Sequence, residues 1–144
     1  MALYVAICLL AALTALPEST AHAGVTPIIW GVTVGLAVAH WFAFRVSARL
    51  VGAGRLRPHD VESAGAQLLG AVGVALLASV PVVLLPESAK LEGVGLLLAT
   101  FIALAGYVVA REGGAARARS LLYATAVLVV AVVIAELKNR LVGH

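Results

Sequence analysis

Residues 25–50 read VTPIIWGVTVGLAVAHWFAFRVSARL, and between Val25 and Phe44 the only ionisable side chain is His40. Arg45 then closes the run. A helix rises 1.5 Å per residue, so about 20 apolar residues in this form match a hydrocarbon layer of about 30 Å. Four further runs, roughly 2–16, 66–86, 92–110 and 119–137, have the same apolar character, and the quoted run itself extends over about 25–46.

Of the 144 residues, 62% are apolar and 12% charged, and the mean hydropathy is +1.07. Soluble domains carry about 45–50% apolar residues. Runs this long and this closely spaced cannot all be buried in a water-soluble core, so the bilayer is read as the solvent. Open sheets would leave unsatisfied edges in hydrocarbon, and the runs lack the alternation of barrel strands, so the spans are helices. The expected fold is all-α: a polytopic transmembrane helical bundle of five spans forming a single domain over residues 1–144.

The first run is the short one. It is followed by PESTAHAG, in which Ala21-His22-Ala23 imitates a signal-peptidase site, but no Lys or Arg precedes the run. A retained first helix is therefore expected, and four spans remain if the run is a cleaved signal peptide. Pro17, Pro27, Pro58 and Pro86 lie at run ends, where a missing N–H does least harm. Pro81 falls inside the third run and predicts a kink or the outer end of that helix, with Ser79 able to bond a freed carbonyl. In the linker GAGRLRPHDVESAGAQ, Pro58, Asp60 and Glu62 suit the first turn of a cytoplasmic helix that runs on into the third span; a solvated loop is the alternative.

Arg45, Arg49, Arg55 and Arg57 follow the second run, and Arg111, Arg117 and Arg119 follow the fourth. The other side has Lys90 in ESAKLEG, read as a loop, and Lys138 and Arg140 near the C-terminus. Seven basic residues against three place the N-terminus in the cytoplasm and the C-terminus outside. Arg45, Arg49 and Arg111 are read as boundary residues that snorkel to lipid headgroups. Glu136 and Lys138 mark the opposite boundary, Trp30 an interfacial anchor, and Gln67 a polar residue near the start of the third span.

Thr26, Thr33, His40 and Ser47 recur every seventh residue, which on a helix drifts only about 20° per step and forms one polar seam. Beside it, Gly31, Gly35, Ala39 and Ala43 form a small-residue stripe with a GxxxG spacing that lets another backbone approach, so this side of the helix is expected to face protein. Gly93, Thr100 and Tyr107 repeat the seven-residue device in the fourth run, and Tyr107 and His40 are expected within hydrogen-bond reach, directly or through one water. Gly70, Gly73, Ala99, Ala103 and Gly106 offer further close-approach positions. His40 has two readings: a neutral packing residue that joins helices, or a proton relay along a wet path.

The chemistry of enzymes is missing from the sequence. A haem between spans needs two intramembrane ligands, and His22, His59 and His144 fall in loops or at the tail, leaving His40 alone; a zinc site fails for the same reason. HExxH, GxSxG and Walker A motifs are absent, so no enzyme, metal or cofactor is expected. The net charge of +3 is explained by topology, and no basic aromatic module points to nucleic acid. The single cysteine, Cys8, cannot form an intramolecular disulfide.

The stretch GLAVAHWFAFRVSARL, an arginine-rich turn, three more apolar runs and the final ELKNRLVGH together resemble a group of small integral membrane proteins of actinobacteria. Ala39-His40 with the downstream Arg49-Leu50, and Leu137-Lys138 leading to His144, carry the resemblance from about residue 25 to the end. In that group an acidic residue near a proline often opens the third helix; here Gln67 and an apolar run stand in its place. The resemblance implies a multi-span helical fold in the plasma membrane and no particular activity.

Three functions are compatible with these residues. The first is a non-catalytic scaffold or accessory subunit in a homo-oligomer or with a membrane-protein partner. The second is a proton or small-ion channel or transport component built on Thr33, His40 and Tyr107. The third is binding of lipid or a hydrophobic ligand near Arg45 and Arg49.

Overall fold

A computed structural model describes residues 1–16, 24–51 and 58–142 and shows an all-helical chain. Among the described residues five helices follow one another: α1 (Ala2–Thr14), α2 (Val25–Val51), α3 (Pro58–Leu84), α4 (Glu87–Glu112) and α5 (Arg117–Val142). Three contain segments long and apolar enough to cross a membrane, namely Val25–Ser47, Val61–Leu84 and Glu87–Glu112. With its 13 residues α1 is about 20 Å long, short of the hydrocarbon thickness.

Local chemistry sets the boundaries. Helix α3 starts at Pro58 and continues without a break through the third apolar run, as the Pro58-Asp60-Glu62 pattern suggested. Pro81 is buried within α3, and Ser79 donates to the Ala75 carbonyl at 2.8 Å. The carbonyl that Pro81 deprives of its helical partner is that of Leu77, four residues back, so the expected rescue by Ser79 is not the bond formed. Only Leu85 and Pro86 separate α3 from α4, because Pro86 is extended (φ −64°, ψ 158°) and Glu87 supplies a first-turn acid that favours the next helix start. The reading of ESAKLEG as a loop is thereby corrected: Glu87 and Lys90 form an ion pair within the first turn of α4.

At the other end of α4 the chain reverses on Gly114, whose φ of +80° suits glycine. The Ala115 N–H bonds the Ala110 carbonyl at 3.1 Å and the Gly114 N–H bonds that of Arg111 at 3.0 Å, the two bonds of a Schellman stop. The Arg111 guanidinium reinforces the turn by donating to the Ala115 carbonyl at 2.7 Å.

Successive long helices pack side by side, and the short α1 lies against all four of them. Val5, Leu9 and Leu13 of α1 are buried with Val25 and Ile29 of α2, Ala71, Val74, Ala75 and Ala78 of α3, Val94, Leu98 and Ile102 of α4, and Ala131 of α5. These positions share one end of the bundle: the first turns of α2, the second half of α3 and the first half of α4. The Cβ position at Gly70 lies 3.4 Å from Ala2 Cβ, so α1 begins at the level of the middle of α3. The continuous core occupies the half of the bundle that contains α1. Toward the other end, burial falls to small residues such as Ala64, Gly106, Ser120 and Ala124.

Candidate functional site

The polar seam expected on the second span lies along α2, but its members do not share one environment. Thr33 is buried and its hydroxyl donates to the Ile29 carbonyl at 2.7 Å, an i−4 bond within its own helix. Thr26 and Ser47 are exposed, and His40 is half-buried with no hydrogen bond among the described residues. On α4, Thr100 is exposed and donates to the Leu96 carbonyl at 2.8 Å. Tyr107 is half-buried in a groove with Thr100, Leu104, Leu121 and Ala124, between α4 and α5.

The principal neighbours of α2 are α3 and α1, while those of α4 are α5, α1 and α3. Among the described residues His40 and Tyr107 make no direct hydrogen bond, the direct form of the expected pairing. Thr33 and Thr100 satisfy themselves at i−4 carbonyls of their own helices, and α2 and α4 are not principal neighbours. The described side chains therefore do not join Thr33, His40, Thr100 and Tyr107 into one hydrogen-bonded path.

The small-residue stripe has a clearer geometry. Gly31, Gly35, Ala39 and Ala43 are all exposed, and a Cβ placed on Gly31 or Gly35 would meet nothing within 4 Å. Among the described residues no helix covers that face. Beside it Val38 and Phe42 are also exposed, Phe42 to 69%. Close approach within the chain is made elsewhere: a Cβ on Gly106 would lie 3.3 Å from Ala124 Cα, and one on Gly93 would overlap Leu85 Cδ1 and lie 3.3 Å from Pro81 Cβ. Gly73 belongs to the same class of residue by sequence, yet it faces open space.

Arg45 and Arg111 are exposed near the ends of α2 and α4, at the end of the bundle remote from α1's C-terminus. The side chains of Arg49, Glu136, Lys138 and Arg140, together with Pro17, His22, Arg55, Arg57 and His144, lie outside the described residues, as does the side chain of His59. Gln67 is exposed on α3. Among the described residues no group of three or more His, Cys, Asp or Glu side chains could hold a metal ion. Comparison with protein-family models, curated proteins and solved structures finds no match.

Proposed function

We propose that this chain is a five-span plasma-membrane protein, N-terminus in the cytoplasm and C-terminus outside, that acts as a non-catalytic scaffold or accessory subunit and self-associates through α2. The observation that carries the reading is the uncovered stripe Gly31, Gly35, Ala39 and Ala43. Association of helices in lipid is driven by close packing and hydrogen bonds, since lipid tails are as apolar as leucine, and small residues at four-residue spacing permit that closeness. A copy of the same face, related by a two-fold axis, is self-complementary. The polar side chains are few, and the buried Thr33 is satisfied within its own helix, which suits a packed component better than a conduit.

A second reading, proton passage, is favoured by one observation: the half-buried His40 imidazole has no hydrogen-bond partner among the described residues and lies on the same helix as the stripe. One set of lipid vesicles separates the two. Photobleaching steps of labelled wild type should show dimers or higher oligomers and Gly35→Leu monomers, with helix content unchanged and no proton flux that differs between wild type and His40→Ala from pH 5 to 8. Monomeric wild type would reject the scaffold reading, and flux lost in His40→Ala would replace it with conduction.

A further inference from the structure

Where α1 ends, its last turn and the first three turns of α4 enclose a slot of about 480 Å³, within the roughly 300–1,000 Å³ range of small-molecule sites. Leu10, Leu13 and Leu16 form one wall, and Leu91, Gly95, Leu96 and Ala99 the other. From Leu91 to Ala99 the slot runs about 12 Å along α4. Its lining is mostly apolar; the polar side chains among the described residues are Thr14, whose hydroxyl donates to the Leu10 carbonyl at 3.0 Å, and one carboxylate, Glu92.

Glu92 differs from its neighbour Glu87. Glu87 is neutralised by Lys90 one turn away, whereas Glu92 makes no hydrogen bond or ion pair among the described residues. It sits about 7 Å along a helix of 26 residues, which on the membrane reading proposed above is close to the boundary between headgroups and hydrocarbon. An unpartnered carboxylate at that depth favours a cation beside it. Among the described residues of this stretch, Glu87, Lys90 and Glu92 together carry one net negative charge.

We propose that this slot binds a single-chain amphiphile with a cationic amine head, its alkyl chain between α1 and α4 and its ammonium on the Glu92 carboxylate. The apolar walls would accept any alkyl chain; the charge at the mouth selects the amine over a neutral or anionic head. Gly95 is the position at which the slot can be closed without touching the fold, because a Cβ there meets nothing within 4 Å.

The test uses the full chain in phosphatidylcholine nanodiscs, with a diazirine-bearing alkylamine and the alcohol and carboxylate of equal chain length, and labelled peptides mapped by mass spectrometry. The amine should label residues 10–16 and 91–99 at least five-fold more than either analogue. Glu92→Gln should remove the preference while leaving alkyl labelling, and Gly95→Leu should remove labelling by all three, with helix content unchanged in both. Equal labelling of wild type by the three probes, or labelling undiminished in Gly95→Leu, means general lipid contact only and overturns the proposal.

Discussion

Gly106 and Gly73 look alike in the sequence, each a small residue in an apolar run, yet one is an internal contact and the other is not. At Gly106 the Cβ would press on the α5 backbone at Ala124 and on Val127 Cβ, both 3.3 Å away, neither of which is a flexible side-chain end. Gly106→Val should therefore destabilise the bundle by about 1–3 kcal/mol, the usual range for overpacking, while Gly73→Ala should be neutral or stabilising because alanine favours helix. Unfolding of both variants in mixed micelles measures the difference. Spacing in the sequence names candidate contacts, but which face is covered depends on where neighbouring helices lie. The same limit applies to His40 and Tyr107: their seven-residue spacing was legible, and their helices' neighbours were not. The role of Glu92 was hidden because ESAKLEG reads as a charged loop until Pro86 is seen to start a helix there.

Among the elements α1 combines the shortest length with contacts to every other helix. Val5, Ala6 and Leu9 have no exposed surface, which is unusual for a terminal helix and makes α1 the centre of the packed half of the bundle. This burial favours α1 as an integral part of the fold rather than a segment dispensable to it. Leu9→Ala should cost about 2–5 kcal/mol, as buried leucine truncations do, whereas Leu76→Ala, on a residue 55% exposed, should cost far less. The ratio of the two, measured by the same unfolding assay, tests whether α1 holds the bundle together. If they are equal, α1 is peripheral. The apolar run 2–16 was visible in the sequence, but its centrality was not, since a run buried by protein and a run facing lipid have the same composition. A helix start was legible at Pro58, where proline and first-turn acids coincide, and was missed at Glu87, where the charged ESAKLEG reads as a loop.

For the whole molecule, large aliphatic side chains lie on the surface as well as in the core around α1. Much of the α3 interior is alanine, with Ala71, Ala75 and Ala78 fully buried, while Leu69, Val83, Leu96 and Leu122 are more than 70% exposed. Soluble monomers rarely expose contiguous apolar surface beyond a few hundred Å². An outer surface of large aliphatics beside an alanine-rich α3 interior suits hydrocarbon as solvent, because burial of leucine gains little when the surroundings are themselves alkane. That the chain is helical, with helices long and apolar enough to cross a membrane, was legible from composition and run length alone. Spin labels provide the most direct test. With Cys8 replaced by serine, a label at Leu69 should collide readily with oxygen, which dissolves in lipid, and hardly at all with a water-soluble nickel chelate; a label at Leu98 should be shielded from both. A label at Leu69 that collides freely with the nickel chelate would place that surface in water and contradict the account.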